Sequence, residues 1–65
     1  MTINKARIEL TLAEKGWTRA ELARRCGISA QNVSTILRRG TCEPKTAGKL
    51  AAGLGAPVAE IIREE

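Results

Sequence analysis

The chain has 65 residues, which suits one domain that buries only about 60% of the surface of its unfolded form. Trp17 is the single aromatic residue and His is absent, so the core must be aliphatic and no imidazole is available for acid–base catalysis. The net charge of +4 favours an anionic partner.

The two cysteines, Cys26 and Cys42, are too few and too widely spaced for a zinc site, so we expect no metal and no cofactor. Cys26 falls on an apolar helical stripe, where a free thiol behaves as a small hydrophobe; a disulfide would require both side chains within bridging distance. Reduced thiols are favoured. Together with the lack of an apolar amino-terminal run and of about eighteen consecutive apolar residues, they predict a cytoplasmic protein without membrane contact.

The first predicted helix runs from its N-cap, Thr2, to about Lys15 and ends at Gly16. The residues expected to face the core are Ala6, Ile8, Leu12 and Ala13. Ile3 and Leu10 remain open as further core candidates, since either side chain could also point inward.

Trp17 and Thr18 open the second predicted helix, and Gly27 ends it. Thr18 and Glu21 have the spacing of a capping box, in which the hydroxyl and the carboxylate each bind a free backbone amide of the first turn. The expected buried residues are Leu22, Ala23 and Cys26, and the outward arginines are Arg19, Arg24 and Arg25. Ala23 is small enough to let another helix cross closely.

A third helix follows, from Ala30 to about Arg38, with Ser29 as its N-cap and Ile28 as an apolar plug beneath the turn. Only the residues Gly27 to Ser29 separate it from the second helix. The two helices must therefore cross steeply, which is the helix-turn-helix geometry.

The third helix has two faces. Its apolar stripe is Val33, Ile36 and Leu37, and its polar stripe, at the spacing i, i+3, i+4, i+7, is Gln31, Ser34, Thr35 and Arg38. Such a helix packs with one face and leaves the other free to bind. In a basic chain without a cluster of catalytic residues, the favoured ligand is the major groove of DNA. The alternative interpretation is an ordinary solvent-exposed helix face.

Positive charge is concentrated around the predicted turn. The segment from Lys15 to Lys49 contains eight Lys and Arg residues but only two acidic residues, Glu21 and Glu43, so its net charge is +6. The two ends of the chain together carry a net charge of −2. This clustering is expected of a protein held by phosphates. For any single cation, the alternative is a solvated surface that keeps a small protein soluble.

The rest of the chain predicts two more helices and no strand, so the fold class is all-α with five helices. Arg39 to Lys45 form a loop, after which Thr46 caps a fourth helix that ends at Leu54 before Gly55. Its inward residues are Ala47, Leu50, Ala51 and Leu54.

Pro57 begins the fifth helix, which precedes an acidic end formed by Glu64 and Glu65. The apolar residues of this helix are Val58, Ile61 and Ile62. They either close the core of the monomer or form the interface of a homodimer.

The chain resembles the phage repressor and Cro family of helix-turn-helix domains over nearly its whole length. The residues that carry the likeness are Thr18, Glu21, Leu22, Ala23, Gly27, Ile28, Ser29, Val33, Ser34 and Ile36, followed by Gly40, Pro44, Leu50, Ala51, Leu54 and Gly55. The resemblance implies a compact, lambda repressor-like five-helix domain. Leu37, Arg38 and Arg39 precede Gly40, one residue more than is common in that family, so the end of the third helix is open.

The resemblance also implies site residues, with a recognition helix over about residues 29–38 in the major groove. Those that match base-reading positions are Ala30, Gln31, Ser34 and Thr35. Those that match phosphate-facing positions are Thr18, Arg19, Ser29 and Arg38, and Arg39 and Lys45 extend this basic set. Side-chain chemistry agrees, since Gln31 can pair bidentately with adenine and the Thr35 methyl group can touch a thymine methyl group.

We therefore expect a sequence-specific double-stranded-DNA-binding transcriptional regulator of the repressor type, acting as a homodimer on a palindromic site. The alternative is a protein-interaction module such as an antitoxin, with DNA binding secondary. An enzyme is not expected, because the chain has no histidine, no phosphate-cradling glycine loop and no activating partner for either cysteine.

Overall fold

The computed structural model describes residues 1–63 and folds them into five helices; Glu64 and Glu65, the predicted acidic end, lie outside the described residues. The helices are α1 (Lys5–Lys15), α2 (Arg19–Cys26), α3 (Ala30–Arg39), α4 (Pro44–Leu54) and α5 (Val58–Ile61). The predicted all-α fold class is confirmed. Within residues 1–63, the only β pairing consists of two isolated bridges, Thr2 with Thr41 and Ile3 with Ile62.

Short-range signals set both ends of the turn between α2 and α3. The Thr18 hydroxyl accepts a hydrogen bond from the Glu21 amide at 3.2 Å, and the Ser29 hydroxyl accepts one from the Asn32 amide at 3.0 Å. Gly27 ends α2 in the left-handed conformation with φ 71°, as predicted. The second half of the predicted capping box is wrong, because the Glu21 carboxylate instead accepts hydrogen bonds from two arginines of its own helix.

Two predicted helix starts are wrong. The N-cap of α1 is Asn4, whose side chain accepts a hydrogen bond from the Arg7 amide at 3.1 Å, while Thr2 is extended and paired with Thr41. Helix α4 begins at Pro44, two residues before the predicted cap Thr46, since proline at the first helical position has no amide to satisfy.

The amino-terminal segment is extended because its backbone hydrogen bonds connect it to two parts of the chain that are distant in sequence. The Ile3 amide donates to the Gly40 carbonyl at 2.7 Å, and the Asn4 amide donates to the Ile61 carbonyl at 2.8 Å. The Arg63 amide donates in turn to the Thr2 carbonyl at 2.9 Å. This segment therefore ties the end of α3 to the end of α5.

One aliphatic core joins all five helices. Its buried residues are Ile3, Ile8, Leu12, Leu22, Ala23, Cys26, Val33, Ile36, Leu37, Ala47, Leu50, Ala51, Leu54 and Ile61. The inward residues predicted for α2, α3 and α4 are confirmed, and Ile28 is half-buried against the same core. For α1 the prediction is half wrong: Ile8 and Leu12 are buried, but Ala6 and Ala13 are exposed.

The apolar residues at the end of the chain serve this core. Ile61 is only 2% exposed, and Val58 and Ile62 are half-buried against the core. Helix α5 ends at Ile61, so Ile62 is extended and pairs with Ile3 rather than continuing a helical stripe. Of the two interpretations of these residues, core closure is the one observed, and the predicted dimer interface is not free.

Helices α2 and α4 approach most closely at a residue that sequence reasoning missed. A Cβ atom added to Gly53 would lie 3.1 Å from both the backbone nitrogen and the Cα atom of Cys26, and it would collide with the Cys26 sulfur. Ala23 is buried as predicted, but Gly53 is the position at which an added Cβ atom would crowd the backbone of α2.

Candidate nucleic-acid interface

The two faces of α3 are separated as predicted. Val33 is 1% exposed, and Ile36 and Leu37 are also buried in the core. On the opposite side, Gln31, Ser34 and Arg38 are exposed and Thr35 is half-buried. The Ser29 cap and the packed apolar face hold the helix rigidly, so the polar side chains project from a fixed support.

The polar face is wider than the predicted stripe, because Asn32 and Arg39 are also exposed. At about 100° per residue, Gln31, Thr35 and Arg38 lie near the middle of this face, Ser34 on one flank, and Asn32 and Arg39 on the other. Helix α3 continues to Arg39 and is ended by Gly40 in the left-handed conformation, so the open question of the helix end is resolved. The side chains of Arg38 and Arg39 therefore point about 100° apart around the helix axis.

A shallow depression joins the polar face of α3 to the start of α2. It is lined by Arg19, Gln31, Ser34, Thr35, Leu37 and Arg38. A second depression lies on the other flank, between α3 and the segment that leads into α4. Asn32, Thr35 and Arg39 line it together with Thr41 and Glu43. The fold thus brings most of the predicted site residues together around one helix.

Other predicted site residues lie outside these depressions. Ala30 is exposed on the first turn of α3, and Thr18, Ser29 and Lys45 are exposed where α2, α3 and α4 begin.

The hydroxyl groups of the site are partly committed to the backbone. Thr35 Oγ1 donates its proton to the Gln31 carbonyl at 2.9 Å, so this oxygen can only accept from a ligand, and its methyl group remains available for apolar contact. The hydroxyl groups of Thr18 and Ser29 act as acceptors instead. Their oxygens accept from backbone amides at the helix starts, which leaves the O–H proton free to donate, as a phosphate oxygen requires.

Ion pairs partly neutralise the cations of α2, since its three arginines share two carboxylates. Arg24 and Arg25 contact the Glu21 carboxylate at 2.7 Å and 3.0 Å, and the hydrogen bond from Arg24, with help from Arg25, lowers the pKa of Glu21 from 4.5 to about 2. Arg25 also stacks over the Trp17 ring at 4.1 Å from its centre. Arg19 pairs with Glu9 at 3.1 Å, with both side chains about half exposed.

The cations at the end of α3 and the start of α4 are different. Within residues 1–63, Arg38, Arg39 and Lys45 form no ion pair. Arg38 and Arg39 therefore add uncompensated positive charge to the exposed side of α3. This distribution is more specific than the net charge, which counts all arginines alike.

A family model described as a helix-turn-helix domain matches residues 6–62. The chain belongs to this family. The match covers the whole helix-turn-helix and four of the five helix starts, those of α2 to α5. Comparisons with curated proteins and with solved structures gave no significant match.

Asn32 is the residue of the helix-turn-helix that the sequence interpretation missed. Asn32 precedes Thr35 by three residues, so the two side chains lie on the same side of a helix. This spacing was the signal from which the sequence could have predicted the position of Asn32. An asparagine amide can pair bidentately with adenine, as glutamine can. Asn32 therefore joins the candidate base-reading residues.

The remaining chemistry of the described residues is modest. Cys26 and Cys42 are free thiols, and burial raises the pKa of each, which disfavours the reactive thiolate. Residues 1–63 contain no group of three or more Cys, His, Asp or Glu side chains placed to hold a metal ion. Among the helices formed by these residues, none combines the length and the apolar character needed to span a bilayer.

Proposed function

We propose that this chain, acting as one domain, is a sequence-specific transcriptional regulator of the phage repressor and Cro type that inserts α3 into the major groove of double-stranded DNA. The observation that carries the proposal is the exposed polar face of α3, which includes Arg38 and Arg39, two arginines without ion-pair partners in residues 1–63. A major groove about 12 Å wide admits one helix, and the cations then meet the phosphates at its edges.

Base reading falls to the exposed residues of α3. The proposed set is Ala30, Gln31, Ser34 and Thr35, with Asn32 at its margin. Gln31 is central on the face, and its amide can both donate to and accept from adenine. Thr35 can accept a hydrogen bond from an exocyclic amino group and can touch a thymine methyl group, since its proton is held by the Gln31 carbonyl.

Phosphate binding falls to the surrounding helix starts and cations. The proposed set is Thr18, Arg19, Ser29, Arg38, Arg39 and Lys45. Thr18 and Ser29 have hydroxyl protons free to donate, and Arg38 and Arg39 line different depressions beside α3, from which their long side chains can reach phosphates. Arg19 is held by Glu9, so a phosphate must share or displace that carboxylate.

The test begins with selection of binding sites from random duplex DNA. Binding of the recovered site is then measured for Gln31→Ala, Arg38→Ala and the matched control Arg24→Ala, which removes the same charge from a residue paired with Glu21. Gln31→Ala should cost about 1 to 3 kcal/mol and relax specificity at one base pair, and Arg38→Ala should weaken all sequences and lower the salt slope by about one. Equal losses for Arg38→Ala and Arg24→Ala, or no preferred sequence, would contradict the proposal.

One domain of this size reads few base pairs, so we propose that two copies bind a two-fold symmetric site. The α5 residues expected at such an interface are packed against the core of the monomer. A second copy must therefore use another surface.

A further inference from the structure

Helix α1 has an apolar residue on its solvent side that the fold does not use. Leu10 is 52% exposed, and it lies on the opposite side of the helix from the buried Ile8 and Leu12. Ala6 and Ala13, which sequence reasoning assigned to the core, are exposed beside it. Together with Arg7 and Glu14 these residues form a face that we call the α1 outer face.

We propose that the α1 outer face binds a second copy of this chain, with the two α1 helices packed antiparallel about Leu10. The proposal goes beyond DNA binding and does not depend on it. It rests on the order of residues around Leu10, which is self-complementary in both charge and size.

The charged and the small residues lie on different flanks of Leu10. Arg7 precedes Leu10 by three residues and Glu14 follows it by four, which places both about 50° to one side. Ala6 precedes it by four residues and Ala13 follows it by three, which places both about 50° to the other side. One flank is therefore charged with opposite signs at its two ends, and the other is small and uncharged.

A two-fold axis through Leu10, perpendicular to the plane of the two helices, reverses the helix direction and keeps each flank on its own side. Arg7 lies about 4.5 Å before Leu10 and Glu14 about 6 Å after it, so Arg7 comes level with Glu14 of the partner subunit. The same operation places Ala6 opposite Ala13 of the partner subunit. The two-fold axis therefore forms the charged contact twice and the alanine contact twice, as an isologous interface requires.

Within residues 1–63, Glu14 has no ion-pair partner. Arg7 contacts Glu60 at 3.5 Å, with both side chains about half exposed, so Glu14 of the partner subunit must share Arg7 with Glu60 or displace it. The alanines allow the helix backbones to approach closely around the two leucines. The face is only about 12 Å long from Ala6 to Glu14, so the buried area falls below the roughly 1,200 Å² of stable complexes, and we expect a weak dimer.

Sedimentation equilibrium of the full chain, without DNA, tests the proposal through charge reversal. Arg7→Glu places like charges at both pairs of a homodimer, and Glu14→Arg does the same, so each should weaken self-association by about tenfold. An equimolar mixture of the two variants restores an opposite-charge contact at both pairs. The mixture should therefore associate as wild type does, and the double variant R7E/E14R should as well. Circular dichroism verifies that each variant is folded.

A second pair of variants tests the apolar centre. Leu10→Glu should abolish association, whereas Ala52→Glu, which places the same charge at an exposed position of α4, should leave it unchanged. A wild-type protein that stays monomeric up to about 1 mM, which corresponds to a binding free energy of about −4 kcal/mol, would overturn the proposal and leave the α1 outer face to a different partner. A mixture of R7E and E14R that associates no better than either variant alone would also overturn it.

Discussion

Helix α4 contains two interior glycines, Gly48 and Gly53, and their replacement by alanine should change stability in opposite directions. Helix propensity alone favours both changes, by about 1 kcal/mol each. At Gly48 the added methyl group meets nothing within 4 Å, so this gain should be retained. Gly48→Ala should therefore be more stable than the wild type.

At Gly53 the packing against α2 opposes the same gain. The new Cβ atom would lie 3.1 Å from the Cys26 nitrogen and from its Cα atom, and it would collide with the sulfur. A sulfur can move with its side chain, but backbone atoms yield only if the two helices separate. Overpacking of this kind costs about 1 to 3 kcal/mol, so Gly53→Ala should range from neutral to about 2 kcal/mol less stable than the wild type.

Thermal unfolding followed by circular dichroism measures both effects, since about 1 kcal/mol shifts the melting temperature of a domain of this size by about 4 to 8 °C. Cys26→Ala in the Gly53→Ala background should recover part of the loss, because it removes the sulfur and leaves both backbone contacts. A double-mutant cycle separates this coupling from the cost of the cysteine change itself. The reasoning is refuted if Gly53→Ala raises the melting temperature as much as Gly48→Ala does.

Three further predictions concern charge. Val33→Asp should unfold the protein, because it buries an unpaired carboxylate in the core, and loss of the helical circular dichroism signal would show this. The pKa of Glu21 is lowered from 4.5 to about 2 by the hydrogen bond from Arg24, so its contribution to stability is present above pH 4.5 and is lost as the pH falls toward 2; the stability difference between wild type and Glu21→Gln should shrink over that range in acid titrations. Glu9→Gln should strengthen DNA binding at low salt and steepen its salt dependence, because it frees Arg19 to meet a phosphate.

Matched variants separate these effects from general ones. Ser34→Asp adds the same carboxylate on the exposed side of α3, so it should fold normally, and a loss of structure equal to that of Val33→Asp would contradict the packing. Glu60→Gln removes the same charge as Glu9→Gln but frees Arg7 instead of Arg19. An equal gain in DNA affinity from Glu9→Gln and Glu60→Gln would show that net charge alone, and not the release of Arg19, causes the effect. For Glu21, a stability difference that is constant down to pH 2 would contradict the ion pair.

The helix-turn-helix was predictable from sequence because its signals act within about four residues. The Ser29 cap needs only the amide of Asn32, and Gly27 needs only its own freedom to adopt positive φ. The separation of Val33 from Gln31 onto opposite faces follows from helical periodicity once the helix exists. Fold class and most of the site were therefore accessible without coordinates.

Other features depended on contacts between residues far apart in the chain. Nothing local distinguishes Thr2 from Asn4 as a cap; the pairing of Ile3 with Gly40 and Ile62 makes the segment extended and moves the helix start. The outward position of Leu10 likewise depends on which side of α1 the core covers.

The linear order of residues by itself determined the presence of the helices, the N-caps of α2 and α3 and the two faces of α3, since these depend on bonds and periodicities within one or two turns. Only the tertiary structure decided that Gly53 packs against the Cys26 backbone, that Arg38 and Arg39 line different depressions beside α3, and that Arg19 of α2 pairs with Glu9 of α1. The physical reason is that close approach and ion pairing depend on distances through space. Those distances exist only after the chain has packed.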